Sequence, residues 1–214
     1  MGKNDNSATR VITSDGYCIT PVETKDYSGC LEVTVTDVLG LTYFKKACEA
    51  TSGKELPEDR VMPLLKKMYK AEHSPIRERK FWVEVKRCPV FVANHFRTHN
   101  VGIEHFHLSH RSDRTGIKDT VTNRLTPTSF SFMCNAQSLI NMARKRLCNK
   151  ASKETCDVMK LIKRCLLDGV DPALAECMVP ECEYRGQCHE LHSCTSDAKV
   201  KHIQEVNVSG DSVE

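Results

Sequence analysis

"KFWVEVKRCPVFVANHFRTHNVGIEHFHLSHR", residues 80–111, changes its hydrophobic period twice in one run. At its start Phe81, Val83 and Val85 alternate with charged neighbours, the spacing of a strand with one buried face. "CPVFVANHFRTH" is then a compact apolar stretch, and Pro89 suits the first turn of a short helix. The closing "HFHLSHR" alternates again, Phe106 and Leu108 against His105, His107 and Ser109. That pattern predicts a second strand with the histidine side wet. A strand–helix–strand unit therefore lies at the centre of the chain.

Working outward, "CLEVTVTDV" (30–38) sets Leu31, Val33 and Val35 against Glu32, Thr34 and Thr36, another half-buried strand. "VLGLTYFKKACEA" and "RVMPLLKKMYKAEH" keep apolar residues on one helical stripe, and Pro63 must sit in the first turn of the second helix or break it. Beyond a charged loop, "SDRTGIKDTVTNRLTPT", a long helix is predicted from about Ser129 to Cys148, burying Phe132, Ala136, Leu139, Ile140 and Ala143. "SKETCDVMKLIKRCLLDG" is a further helix, with Ser152 and Thr155 as a partial capping box and Gly169 as its stop. "DPALAECM" is a short one capped by Asp171, with Pro172 in its first turn. Strands mixed with long helices and no βαβ repetition give an α+β class, a mixed or antiparallel sheet packed with helices. One domain is expected over residues 17–178, followed by a Cys/His-rich segment at 179–195. The polar stretches 1–16 and 196–214 are expected to be flexible tails.

Composition narrows the function classes. Apolar residues make up 40 %, charged residues 28 %, and the net charge is +3 with both signs interspersed. That is enough apolar material for a core and no basic surface for nucleic acid. No run approaches a membrane span and "MGKNDNSATR" lacks a signal peptide's apolar core, so a cytoplasmic location is expected. The twelve cysteines are then expected to be reduced. Cys134, Cys148, Cys165 and Cys177 fit apolar helical patterns as small buried hydrophobes. "CEYRGQCHELHSC" stands apart, with Cys182, Cys188, His189, His192 and Cys194 offering more donors than zinc needs, although no C-x2-C pair occurs. Zinc on Cys182, Cys188, His192 and Cys194 and free packed thiols are the two alternatives there.

The order of motifs resembles that of the flavin-dependent thymidylate synthases, especially their divergent phage-like members, over roughly residues 30–194. The family signature is R-H-R-x-x-S-x-N-x-x-S-x-R, preceded by an H-x-S-P-like turn and followed by a helical L-R-x-x-x-x-A-Q-x-E-I-R. His73, Ser74 and Pro75 match the turn, with Arg77 where a glutamate is usual. His99 falls on the central His of R-H-R, with Thr98 and Asn100 in place of both arginines. A slip of one residue instead puts Arg97 and His99 on the two arginines. Ser109 and Arg111 match the closing S-x-R at the cost of one or two insertions. Arg146, Ala151 and Glu154 match the helical motif, where Ser152 replaces Gln and Cys156 the final Arg.

The resemblance implies an enzyme that uses reduced FAD to pass a one-carbon unit from methylenetetrahydrofolate to dUMP, with NADPH as reductant. It also implies a homotetramer with sites between subunits, in the cytoplasm of a host if the source is viral. His73, Ser74, Arg97 and His99 would contact flavin. Ser109, Arg111 and Arg146 would bind the nucleotide, Ser109 and Arg111 being the catalytic candidates. Ser109 reads as a hydrogen-bond donor to phosphate, because no Asp/Glu–His relay is evident to activate it as a nucleophile. Threonine, asparagine or cysteine cannot replace an arginine fork on an anion. Arg97, Arg111, Arg114, Arg144, Arg146 and protonated His99, His105, His107 or His110 are candidates to compensate. Changed nucleotide chemistry on the same fold, or a non-catalytic binding or structural protein, are the competing expectations.

Overall fold

The computed structural model describes residues 11–12, 18–23, 30–116 and 123–194. Its strands are β1 (Val11–Ile12), β2 (Cys18–Glu23), β3 (Cys30–Asp37), β4 (Lys80–Pro89), β5 (Ile103–His107) and β6 (Pro127–Asn135). They form one sheet in the order β1-β2-β3-β4-β6-β5, antiparallel at every pairing. The helices are α1 (Thr42–Ser52), α2 (Glu58–Ala71), α3 (Val90–Arg97), α4 (Ser112–Thr115), α5 (Ala136–Arg146), α6 (Lys153–Cys165), α7 (Pro172–Cys177) and α8 (Glu181–Arg185). A 3-10 turn (Ser74–Glu78) precedes β4 and a π turn (Leu166–Val170) follows α6. The α+β class is as expected, with the sheet purely antiparallel among the described residues. β1 lies inside the stretch 1–16 expected to be a tail, and residues 196–214 lie outside the described residues.

The core is built on one face of the sheet. Leu31, Val33 and Val35 of β3, Phe81, Val83 and Val85 of β4, and Phe130, Phe132 and Cys134 of β6 are all buried. The register sets Val83 opposite both Val35 and Phe132, so the three rows align. α3 and α5 pack on β6, and α6 on β3. The opposite face carries Thr34, Trp82, Glu84 and Met133, each half-buried.

Three sequence expectations need correction. The predicted helix from Ser129 begins only at Ala136, because Phe130, Phe132 and Cys134 alternate as β6, a central strand. Asn135 ends the strand and caps α5, its side chain accepting from Ser138 N at 2.9 Å. The apolar residues over 130–143 thus serve a strand and a helix, and α6 and α8 pack on that helix. Pro63 lies neither in the first turn of α2 nor at a break, since α2 starts at Glu58 and holds it internally.

The third correction inverts β5. Ile103, His105 and His107 pair with Cys134, Phe132 and Phe130, so they share the core side of the sheet. The His105 ring lies 5.8 Å from Phe132 and the His107 ring 5.6 Å from Phe130. Phe106 turns to the other face, 5.3 Å from Trp82, and stays half-exposed. An edge strand needs only one strongly apolar anchor, here Ile103, so alternation alone could not say which side was wet. β5 stops at His107, and Leu108 N→Ser129 O at 3.0 Å is its last link to β6.

Candidate functional site

α3 is short and strongly anchored. Pro89 caps it, and Phe91, Val92, Ala93 and Phe96 are buried. His95 lies in its last turn, Thr98 caps its C-terminus, and His99 follows directly. The chain then turns through Gly102, whose φ of +70° suits glycine, and sits on the start of α5. Ser138 Oγ donates to Val101 O at 2.8 Å there.

The last turn of α5 closes this end. Arg146 Nε donates to His99 Nε2 at 2.8 Å, and its Nη2 reaches His95 O at 2.7 Å and Thr98 Oγ1 at 2.8 Å. His99, accepting at Nε2, therefore carries its proton on Nδ1 when neutral. Burial above all, then the Arg146 guanidinium and His105, lowers its pKa to about 4. His105 Nε2 donates to His99 O at 2.6 Å, which leaves Nδ1 as an acceptor, buried and without a hydrogen-bond partner. His95 Nδ1 meets Thr155 Oγ1 at 2.9 Å, and that hydroxyl meets Ser152 Oγ at 2.7 Å. Burial, with nearby positive groups, also lowers the pKa of His95 and of His107. His95 and His99, their pKa values held down beside one arginine, are suited to accepting hydrogen bonds rather than to holding an anion.

The other candidates fall in different places. Arg97 is exposed at the end of α3. Ser109 and Arg111 lie beyond β5, not on one face of it as expected, and are linked by Arg111 N→Ser109 Oγ at 3.3 Å. The Arg111 fork is already engaged by Asp113, with Nε at 2.9 Å and Nη2 at 2.6 Å from the carboxylate oxygens. His73 and Ser74 open the 3-10 turn, exposed, and no hydrogen bond or ion pair among the described residues joins them to His99 or Arg146. Arg144 is committed to Glu72 and stacks on Tyr184 at 3.6 Å, so it does not compensate at the site. A protonated His99 does not compensate at neutral pH, because burial and the Arg146 guanidinium lower its pKa to about 4.

The flavin that the resemblance implies would need cationic donors beside His99. His99 is neutral and occupied, Thr98 and Asn100 carry no charge, and Arg97 alone is both cationic and exposed. The residues at this place in one chain supply no two-arginine grip for flavin. Among the described residues no three His, Cys, Asp or Glu side chains form a ready metal shell, and no helix is long and apolar enough to cross a membrane.

Sequence reasoning passed over His95, Thr155 and Ser152 as partners in the site. The available signal was the four-residue spacing of His95, in the last turn of α3, and His99, just past its end.

No family model matches the chain, and no curated protein does. Among solved structures it is similar to the UMP/dUMP methylase PolB from Streptomyces cacaoi, bound with 5-Br dUMP, at a TM-score of 0.52. The match covers 68 % of this chain and 94 % of that one at 14 % identity, which speaks for the fold alone. The chain shares its fold with a nucleotide methylase.

Proposed function

We propose that this chain is a pyrimidine-nucleotide-modifying enzyme of the methyltransferase kind, with dUMP as its substrate. One observation carries the reading: His99, from the signature-like loop, and Arg146, from the helical motif, meet at 2.8 Å across 47 residues of chain. The fold shared with a UMP/dUMP methylase supports it.

The geometry supports a role for each residue in this reading. Arg146 ties the end of α3 to α5, and its Nη1 makes no hydrogen bond among the described residues. It can present one N–H to a bound nucleotide. Arg111 holds the phosphate after exchanging Asp113 for it, with Ser109 as a neutral donor alongside. The unpartnered His105 Nδ1 is a further hydrogen-bonding group beside His99. Use of methylenetetrahydrofolate, FAD and NADPH, and assembly into a homotetramer, belong to the proposal on the strength of the sequence resemblance. The neutral His99 and its uncharged neighbours favour a second reading, nucleotide modification on this fold without the flavin step.

Calorimetric titration with dUMP and UMP tests the assignment. The parent protein is expected to bind, and Arg111→Lys, which keeps the charge and loses the fork, to bind roughly tenfold to a hundredfold more weakly. No binding by the parent, or equal binding by both, removes it. A flavin absorption band in the purified protein separates the first reading from the second, and sedimentation checks the tetramer.

A further inference from the structure

α3 packs on α6, and a buried hydroxyl lies at their contact. Thr155 is fully buried, whereas the other side chains that α6 buries are Cys156, Val158, Met159, Leu161, Ile162 and Cys165. A valine would fill the same volume with no hydrogen bond to satisfy, so the hydroxyl needs a reason. Its Oγ1 lies 2.9 Å from His95 Nδ1 and 2.7 Å from Ser152 Oγ. The edge of the His95 ring is held by Phe91, with centroids 5.4 Å apart, and its carbonyl by Arg146 Nη2 at 2.7 Å. The ring is only half-buried, and Nε2, with no hydrogen bond among the described residues, reaches the surface. One ring nitrogen is therefore fixed inward and the other left open to a ligand.

A threonine hydroxyl has one proton, so the three linked groups donate in one direction or the other. Ser152 stands at the N-cap of α6. The free N–H groups of a first turn favour oxygen lone pairs there over a hydroxyl proton. Ser152 Oγ then donates to Thr155, Thr155 donates to His95 Nδ1, and the ring carries its proton on Nε2. A neutral N–H suits a carbonyl oxygen, because charged donors hold a phosphate more strongly.

We propose that Thr155 is a positioning residue, holding His95 so that its Nε2–H donates to a carbonyl oxygen of the pyrimidine ring beside Arg146. The proposal rests on the reading of the protein as a dUMP-modifying enzyme. Thr155 touches no substrate and acts through His95 alone.

The ligand-free protein tests the positioning. Nitrogen NMR of His95 at neutral pH should show a protonated Nε2 and an unprotonated Nδ1 in the parent and in Thr155→Ser. In Thr155→Val the two tautomers should average. If that variant does not fold, Ser152→Ala, at a half-exposed position, should bring the same averaging. Calorimetry should give dUMP binding roughly threefold to tenfold weaker in Thr155→Val and restored in Thr155→Ser. Adding dUMP should shift the parent's His95 Nε2 signal, and inorganic phosphate should not. A proton on Nδ1 in the parent, or an unchanged His95 signature in Thr155→Val, would overturn the positioning role. A shift with phosphate alone would overturn the contact with the pyrimidine. A parent that binds no dUMP removes the substrate reading and this contact with it, while the ligand-free signature still decides whether Thr155 holds the ring.

Discussion

His99 shows how a site residue can keep its position and change its role. The resemblance set it among cationic groups, but a ring that accepts from Arg146 and is half removed from water cannot hold a second proton near neutrality. Its pKa falls from 6.5 to about 4 on folding, so the unfolded chain binds more protons throughout that window. Stability contributed by the neutral ring is complete above the unfolded value and is lost as pH falls toward the folded one. Urea midpoints measured at pH 7 and pH 4.5 should fall further in the parent than in His99→Asn, and parallel losses would show that His99 is not the titrating group. Arg111 offers a second test, because Asp113 occupies its fork. Asp113→Asn should release that fork and tighten dUMP binding, and weaker or unchanged binding in calorimetry would exclude Arg111 as the phosphate ligand.

At the scale of elements, periodicity located β3, β4 and α3, because each carries several apolar residues in one unbroken period. It failed at β6, where Phe132, Ala136, Leu139 and Ala143 satisfy a helical spacing by running across a strand–helix boundary. Asn135 marked that boundary, and its meaning depended on a helix start that the wrong period had hidden. It failed again on β5, since a strand at the sheet edge with both faces partly polar carries no clear signal of side. The candidate site was legible in part: His99 and Arg146 were both named, while their direct bond needed the turn at Gly102 to be known. That turn makes its own prediction. A Cβ on Gly102 would lie 2.6 Å from Asn135 Nδ2 and 2.7 Å from Ser138 Oγ, on a backbone already at positive φ. Gly102→Ala should therefore cost about 1–3 kcal/mol in chemical denaturation, disturbing the α5 cap and the site together. The cap itself, tested by Asn135→Ala, should cost about 1 kcal/mol.

Across the whole molecule, the sheet and the helices on its core face are tied by a buried polar group from a charged run of sequence. Arg79 sits in the charged run "RERK", yet its side chain is 3 % exposed. Its Nη2 lies 2.9 Å from Asp171 and 2.9 Å from Asp37, its Nη1 donates to Gly40 O, and its Nε donates to Tyr69 at 3.3 Å. Tyr69 in turn donates to Asp171 at 2.6 Å, and burial with that carboxylate pushes its phenol pKa up. Asp171 also caps α7 by accepting from Leu174 N at 3.1 Å. The end of β3, the start of β4, α2 and α7 thus meet at one cation, and removing any partner strands charge out of water. Asp171→Ala should cost about 3–5 kcal/mol, because Arg79 and the Tyr69 hydroxyl lose a shared acceptor while staying buried. The exposed pair of Arg111 and Asp113 is the control, and Asp113→Ala should cost no more than about 1 kcal/mol. Equal losses in urea denaturation would mean that burial does not set the strength of the Arg79 network. A larger loss for Asp171→Ala, reduced when Arg79→Met is added, identifies the stranded guanidinium as the cause.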